Sequence, residues 1–283
     1  MPQIIDLSMP IEPHPADPTF EGARLIDHET GGDHIWRALW MPQKAPLWKR
    51  LGGLWRYLRA SRDANRHSFP GGKFLSNEIL TLSVHCGTHL DAPYHFGPLC
   101  EGKPARRVHE VPLEWCFGHG VVLDLTHKGP GAAITVADLE DALARISYEL
   151  QPLDIVLIRT DADRLWPRPE YFSAHAGMTA EATGWLVEHG IKVIGIDTNG
   201  FDLPFMQMVR AYLATKDSRV LWPAHMYGRS KEYFHMERLA NLHRLPQSHG
   251  FHVACFPVAI RDAGAAWTRV VAIVEEKKNG SAA

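Results

Sequence analysis

The stretch from Thr81 to His95 constrains this chain more than any other, because its metal-capable side chains are separated by even numbers of residues. These side chains all occupy odd-numbered positions: His85, His89, Asp91 and His95. An extended chain directs alternate side chains to opposite faces, so a strand would place all four on one face. The residues between them are mostly apolar and would point into a core. Pro93 cannot donate to a sheet, so we predict that the strand ends there and that a turn presents His95.

Two other interpretations compete for this stretch. The i, i+4 spacing of His85 and His89 also suits a helix. Pro93, and the β-leaning residues 82–84 before the histidines, favour a strand instead. The four polar residues could also be scattered on an exposed strand face, which is the usual case for a single histidine. Several imidazoles and a carboxylate on one face, with Gly87 between them leaving room for an ion or a substrate, indicate a site.

The residue types define the chemistry that such a site would support. Two imidazoles and a carboxylate are a usual ligand set for a divalent metal, and three protein ligands leave positions open for water. A bound cation lowers the pKa of that water toward ~7, which supplies a nucleophile at neutral pH. His95, just past the turn-forming proline, would then act as a general acid or base.

The segment His85–His95, HCGTHLDAPYH, resembles the H-x-G-T-H-x-D-x-P-x-H signature of the metal-dependent cyclase/hydrolase family. That family includes bacterial kynurenine formamidases and isatin hydrolases, and every signature position matches. The resemblance implies that His85, His89 and Asp91 bind the metal and that His95 is the catalytic acid/base. It also implies a mixed α/β architecture, the swivelling β/β/α fold with a barrel-like β core and outer helices. A homodimer or homotetramer is expected, since the family uses neighbouring subunits to finish the pocket.

A later segment resembles a second pair of metal ligands in the kynurenine formamidases, a His and a Glu that are twelve residues apart. His225 and Glu237 are twelve residues apart, and Glu237 precedes the pair Asn241-Leu242. The resemblance implies that they complete a second metal site that shares Asp91, so we expect one or two ions of Mn²⁺ or Zn²⁺. On the residues alone, Glu237 could equally cap or pair on a helix, with His225 merely near the site. Weaker competitors lie in the same segment: Glu232, His235 and His243.

Two loops after predicted buried strands carry further carboxylates. Asp197 ends one strand where the family has G-I-D-T/A-P-S, and this chain continues with Thr198-Asn199-Gly200. We predict that Asp197 is structural or orients the site. The changed loop leaves the substrate open. Asp161 and Asp163 follow the other strand and are expected in a solvated loop in preference to a cation site.

The rest of the chain indicates one domain over residues 1–283 with a tryptophan-rich insertion at about 34–72. Apolar spacings of three and four predict an amphipathic helix over 47–64. It would be either a surface helix packed by its tryptophan face, or a lid or subunit contact beside the site. Further elements follow from apolar runs and capping residues: strands at 4–9, 121–125, 154–160 and 192–197, helices at 136–143 and 179–188, and a closing antiparallel pair at 251–260 and 268–274.

Composition excludes several partners and compartments. The net charge of −2 gives no reason to expect nucleic acid or an anionic membrane as partner. No apolar run approaches the ~18–20 residues of a membrane span, and the N-terminus lacks a signal-peptide pattern. The four cysteines lack CxxC spacing and are expected to be reduced. We therefore expect a cytoplasmic protein.

Three functions remain open at this stage. The first is a metal-dependent hydrolase of an amide, lactam or related acyl bond in an aromatic or cyclic small molecule. The second is a metal-dependent cyclase or dehydratase acting on a polyketide or other natural-product intermediate. The third is a metal-dependent binding protein without catalysis, which the presence of His95 disfavours. A serine or cysteine nucleophile is also disfavoured, because the chain has no G-x-S-x-G segment.

Overall fold

The computed structural model describes residues 1–40, 46–60 and 66–275. The chain divides into two compact units, one formed by Met1–Phe20 with Ser83 onward and the other by Glu21–Leu82. The tryptophan-rich segment 34–72 falls inside the second unit. A single domain carrying an insertion stays a prediction.

The first unit is built on a nine-stranded sheet. The strands in the described residues are β1 (Gln3–Asp6), β2 (Phe20–Ile26), β3 (Asn77–Leu82), β4 (His89–Asp91), β5 (Leu99–Cys100), β6 (Lys103–Pro104), β7 (Phe117–Asp124), β8 (Ala133–Ile134), β9 (Ile155–Arg159), β10 (Gly177–Met178), β11 (Val193–Ile196), β12 (Phe234–Glu237), β13 (Phe251–Ala254), β14 (Ala265–Trp267) and β15 (Val271–Val274). The large sheet has the order β1-β15-β13-β7-β9-β11-β12-β4-β14. Its central strands β7, β9, β11 and β12 are parallel, and the pairs on either side are antiparallel. The sheet curls into a half-barrel, which confirms the predicted mixed α/β fold with a barrel-like β core.

Two helices of the first unit cover one face of this sheet. The described α-helices are α1 (Thr30–Trp40), α2 (Leu47–Ala60), α3 (Pro93–Phe96), α4 (Val136–Ile146), α5 (Ala180–Glu188), α6 (Phe205–Thr215) and α7 (Pro223–Tyr227). In β9, Val156 and Ile158 pack with the apolar residues of α4 and α5, whereas Ile155 and Leu157 face a second core on the opposite side. Because both faces are buried, the strand is a continuous apolar run, as predicted.

Other predicted elements are present with different bounds, since β1 ends at Asp6 and not at residue 9, and β13 ends at Ala254 and not at residue 260. The closing strands β13 and β15 pair antiparallel, with His252 opposite Ile273. The predicted helix after Thr179 is capped by that residue, whose hydroxyl accepts a hydrogen bond from Ala182 N. The four cysteines, all in the described residues, are buried free thiols, which agrees with the expected reduced state. Among the described helices, none combines the length and the apolar character needed to cross a membrane.

The second unit contains α1, α2 and the two-stranded sheet of β2 and β3. The predicted amphipathic helix begins at Leu47 as expected and extends through Ala60, and residues 61–64 of that prediction lie outside the described residues. Trp48 is 69% exposed and Trp55 is 70% exposed. The interpretation of α2 as a surface helix packed by its tryptophan face is therefore wrong for the described chain. A lid or subunit contact stays a prediction.

The N-terminus of α4 forms the predicted capping box. The Thr135 hydroxyl accepts from Asp138 N at 3.4 Å, and Asp138 Oδ2 accepts from Thr135 N at 2.8 Å. Lys128 Nζ donates to both carboxylate oxygens of Asp138 at 2.9 Å and 2.8 Å. Burial alone would raise the pKa of Asp138, but the hydrogen bonds from Lys128 and Thr135 lower it to about 2. The carboxylate therefore stabilises the helix start only while it is ionised.

Replacing Asp138 with alanine is expected to destabilise the protein by about 1–2 kcal/mol, because the cap and the partner of Lys128 are lost together. Denaturant unfolding at pH 7 measures this, with Asp141→Ala on the exposed side of α4 as a control expected within ~0.5 kcal/mol of wild type. The folded pKa lies below the ordinary value of 3.8, so the stabilisation is present above that pH and is lost as pH falls toward about 2. The difference in the free energy of unfolding between Asp138→Ala and wild type should therefore become smaller as the pH falls from 3.8 toward about 2. A difference that did not change with pH would contradict the assigned role.

Candidate metal centre

The strand β4 places His89 and Asp91 opposite two other polar residues. In the antiparallel pair of β4 and β12, Asp91 lies opposite His235 and His89 lies opposite Glu237. Directly opposed residues of an antiparallel pair point to the same face, so these four side chains share one side of the sheet. All four are buried, with exposed fractions of 7% for Glu237 and 0% for the other three.

The three ligands predicted from the first motif converge. His85 Nδ1 lies 3.1 Å from Asp91 Oδ1, and His89 Nε2 lies 3.5 Å from the same oxygen. His89 Nδ1 is 2.9 Å from the carbonyl oxygen of Gly87, to which it can donate, so its Nε2 lone pair faces the carboxylate. Among the described residues, neither His89 Nε2 nor Asp91 Oδ1 has a hydrogen-bond partner, although both are buried. Such orphaned, buried lone pairs on a His and an Asp suit a bound cation.

The local structure of the motif differs from the predicted strand. Only His89–Asp91 is extended, since residues 84–88 form a turn and His95 lies on the one-turn helix α3. Gly87 has φ of 66°, and a Cβ at this position would lie 2.8 Å from Ile11 Cγ1. The glycine is therefore required by the turn, and the interpretation that it leaves room for an ion is wrong. Pro93 ends the strand as predicted, but it does so by starting a helix.

The later ligand pair also reaches this cluster. His225 Nε2 lies 3.8 Å from Asp91 Oδ2 and 3.6 Å from Glu237 Oε1. The His225 ring is held by Asp202, whose Oδ2 lies 2.5 Å from His225 Nδ1 and accepts from His225 N at 3.1 Å. The alternative that Glu237 caps or pairs on a helix is wrong, because Glu237 lies in β12. The structure thus brings together all six residues selected from the sequence.

Two residues at the cluster were not selected from the sequence. His235 was only a weak candidate, yet its Nε2 lies 3.2 Å from Asp91 Oδ2 and 3.5 Å from Glu237 Oε1. Asp202 was missed altogether, because its contact with His225 joins distant parts of the chain. A signal for His235 was present: it stands two residues before Glu237 in a short apolar strand, so the two side chains share a face.

The electrostatics of the cluster favour a cation. Burial would raise the pKa of Asp91, but the imidazoles of His89, His85 and His95 hold it well below its ordinary value. Burial also opposes ionisation of Glu237, and its contact with His235 is the main cause that brings its pKa to about 2. The same two carboxylates overcome the effect of burial on His235 and raise its pKa to about 9. Two ionised carboxylates surrounded by imidazoles are a site for positive charge.

His95 lies at the more open side of the cluster. Its side chain is 35% exposed, and its Nε2 lies 3.9 Å from Asp91 Oδ2. Its ring centroid is 4.3 Å from that of His85 and 5.5 Å from that of His225. Burial, together with these neighbouring imidazoles, lowers the pKa of His95 to about 4 despite the opposing effect of Asp91. His95 is therefore a neutral imidazole at neutral pH, able to accept a proton.

A cavity of about 230 Å³ borders the cluster. Its walls include the side chains of Phe172, Phe205 and Trp222 and the altered loop from Asn199 to Leu203. The rings of Phe205 and Trp222 lie 5.4 Å apart between centroids. Pockets for drug-sized ligands are typically ~300–1,000 Å³, so this cavity suits a smaller molecule with one or two rings.

The carboxylates after β9 and β11 make internal contacts. Asp197 is fully buried and accepts from the backbone N of Thr160 and of Asp161, at 2.8 Å each. Burial raises the pKa of Asp197 to about 7 against these hydrogen bonds. Asp161 pairs with Arg159 at 2.7 Å, and Asp163 accepts from Asn241 N at 2.8 Å. Asp161 and Asp163 are therefore half-buried and paired within the protein, so the predicted solvated loop is found only in part.

Comparison with known proteins gives both sequence relatives and structural neighbours. The kynurenine formamidase of Bacillus cereus is 30% identical over 123 residues, which are 44% of this chain and 51% of that protein. The kynurenine formamidase of Bordetella petrii is 32% identical over 144 residues, 50% of this chain and 62% of that protein. The matched segments thus span about half to three-fifths of these relatives.

Solved structures show the same fold at lower identity. Isatin hydrolase A from Ralstonia solanacearum superposes with a TM-score of 0.66 at 20% identity, covering 97% of this chain and 92% of that one. Isatin hydrolase A from Labrenzia aggregata, bound to benzyl benzoate, gives 0.63 at 21% identity, covering 97% and 94%. Residues 5–203 match the family described as "Putative cyclase", which includes the first motif but not His225 or Glu237. With this match over more than half of its length, and with the fold shared, the chain belongs to the cyclase family.

Proposed function

We propose that this protein is a metal-dependent hydrolase that cleaves an amide, lactam or related acyl bond in an aromatic or cyclic small molecule. The observation that carries the proposal is the convergence of His85, His89, Asp91, His95, His225 and Glu237 beside a small cavity with aromatic walls. The kynurenine formamidases and isatin hydrolases among its relatives and neighbours support a C–N bond other than a peptide bond as the target.

In this proposal the cluster holds one or two ions of Mn²⁺ or Zn²⁺. His85, His89 and Asp91 hold the first, and His225 and Glu237 hold the second with Asp91 shared. Imidazole nitrogens and carboxylate oxygens are suitable ligands for either metal. When bound, such a cation polarises a carbonyl oxygen and acidifies a coordinated water.

His95 moves the proton. Its neutral imidazole accepts a proton from the attacking water and later donates it to the leaving nitrogen, the two halves of general base and general acid catalysis. The partly exposed position of the ring lets it reach a molecule in the cavity. The aromatic walls formed by Phe172, Phe205 and Trp222 pack against a planar substrate ring and exclude bulk water from the scissile bond.

Removing the metal is expected to abolish turnover, and adding Mn²⁺ or Zn²⁺ is expected to restore it. The assay uses N-formyl aromatic amines, isatin-like lactams and cyclic esters, with the metal content of each sample measured by mass spectrometry. A sample that has lost its ions and retains full turnover would defeat the proposal. Run in H₂¹⁸O, the same assay must place label in the product of a hydrolase.

A cyclase or dehydratase acting on a polyketide or other natural-product intermediate is the second candidate. The family description and the altered loop after β11 favour it. A metal-dependent product that carries no ¹⁸O would support this candidate over hydrolysis. The homodimeric or homotetrameric assembly and the cytoplasmic location stay predictions.

A further inference from the structure

We propose that His235 is a fourth protein ligand of the second ion, so that this centre is closed and the open coordination position belongs to the centre of His85, His89 and Asp91. The proposal rests on the proposed function only in taking the cluster as a metal centre. It concerns a residue outside the motif that resembles the family, and it assigns different tasks to the two ions.

The distances around His235 match a tetrahedral site. The ligand atoms would be His225 Nε2, His235 Nε2, Asp91 Oδ2 and Glu237 Oε1, and each of these four residues has a ligand atom within 4.8 Å of one from each of the others. The contacts of the two imidazoles with the two oxygens measure 3.8, 3.6, 3.2 and 3.5 Å. A tetrahedron with metal–ligand bonds of ~2.1 Å has edges of about 3.4 Å. All four contacts lie close to that edge length.

A hydrogen bond at Nδ1 sets the tautomer of His235. Tyr233 donates its hydroxyl hydrogen to Ala224 O at 2.9 Å, so the hydroxyl oxygen is left to accept. His235 Nδ1 lies 3.3 Å from that oxygen and is its donor. When a cation replaces the proton on Nε2, the ring keeps its hydrogen on Nδ1 and directs the Nε2 lone pair toward that cation between the two carboxylates.

The ring is also fixed by packing. It lies parallel to Phe201, with centroids 4.2 Å apart and an interplanar angle of 4°, and it is fully buried. On the other side of the proposed ion, Asp202 holds His225 Nδ1 in the equivalent way. Both imidazoles therefore present Nε2 without needing to rearrange, which is the geometry of a preorganised site.

Four protein ligands close a tetrahedral site, whereas three leave a position for water or substrate. Ligands of both ions border the cavity, His85 for the first and His225 and Glu237 for the second, so the second centre is closed only by the buried His235 as its fourth ligand. The second ion would thus be held by protein atoms alone and would fix the shared Asp91. The first ion would face the cavity and His95.

The test is a metal titration that does not depend on turnover. Metal-free wild type, His235→Phe, Tyr233→Phe and the control His243→Gln are titrated with Zn²⁺, and ions bound are counted by equilibrium dialysis with mass spectrometry. Phenylalanine retains the stacking on Phe201 but offers no ligand atom. His243 is exposed in a neighbouring turn, so its variant should bind as wild type does.

Wild type is expected to bind two ions, and His235→Phe to retain the first while binding the second at least ~100-fold more weakly. Tyr233→Phe retains the His235 ligand but removes the hydroxyl that accepts from its Nδ1. This variant should bind the second ion about 10–100-fold more weakly than wild type does. With Co²⁺ in place of Zn²⁺, the visible absorption of the second ion should be lost in His235→Phe.

Two results would overturn the assignment. Unchanged or tighter binding of the second ion by His235→Phe would show that the imidazole does not ligate it. If His235→Phe does not fold, unchanged binding by Tyr233→Phe would overturn it equally. Failure of wild type to bind any ion would instead refute the proposed function, so the two failures are distinguishable.

Discussion

Replacing Asp91 with asparagine is expected to remove both ions and to lower kcat/KM by at least ~10³-fold, because a bound cation supplies several kcal/mol of transition-state stabilisation. Asp91 Oδ1 contacts His85 and His89, whereas Asp91 Oδ2 contacts His225 and His235. One carboxylate thus contributes an oxygen to each proposed centre. The neutral amide keeps the size of the side chain while it removes the negative charge.

Metal content and kcat/KM of Asp91→Asn are measured on the same preparation. Asp217→Asn is the matched control, since this carboxylate lies on the surface in an ion pair with Arg219. The control should retain both the metal and the activity of wild type. Full metal occupancy in Asp91→Asn would exclude a bridging role for Asp91.

Replacing His95 with alanine is expected to lower kcat by about 10²–10⁴-fold while the metal content stays that of wild type. The reason is that His95 contributes a proton-transfer group, not a ligand, in the proposed mechanism. His95 Nε2 lies 3.9 Å from Asp91 Oδ2, close enough for His95 to be a ligand instead, so the metal content decides between the two roles. Steady-state kinetics with a proven substrate, together with metal analysis, separate these two roles.

His127→Ala provides the comparison for this variant, because His127 is 55% exposed and remote from the cluster in the sequence. If His95→Ala lost metal in proportion to activity, His95 would be a ligand. If it turned over substrate at the wild-type rate, another group would carry the proton and His95 would have no catalytic role.

The alternation of side chains along a strand selected residues of the first motif that the structure does bring together, but through a partly wrong local structure. His89 and Asp91 do share a strand face, but His85 reaches the cluster from a turn and His95 from a one-turn helix. A side chain at position 87 is excluded by Ile11, which is far away in the sequence, and no local pattern encodes this proximity. The metal-capable residue types indicated which side chains would cluster, whereas the sequence pattern did not predict the backbone conformation of this segment.

Long-range pairing limited what could be predicted elsewhere. The buried strands β9 and β11 follow from continuous apolar runs, since a strand covered on both faces must be apolar throughout. The approach of His235 to Asp91 depends instead on the pairing of β12 with β4, which requires the complete sheet. Asp202 likewise acquires its role only when α7 lies beside the loop after β11.

The pairing of β4 with β12 has a consequence during synthesis of the protein. His85, His89 and Asp91 leave the ribosome together, whereas His235 follows Asp91 by 144 residues. An incomplete nascent chain can therefore offer only half of the cluster, and contacts between residues so distant in sequence form late and slowly. Because strong ion binding requires a folded site, tight binding of the second ion would follow only once β12 has paired with β4.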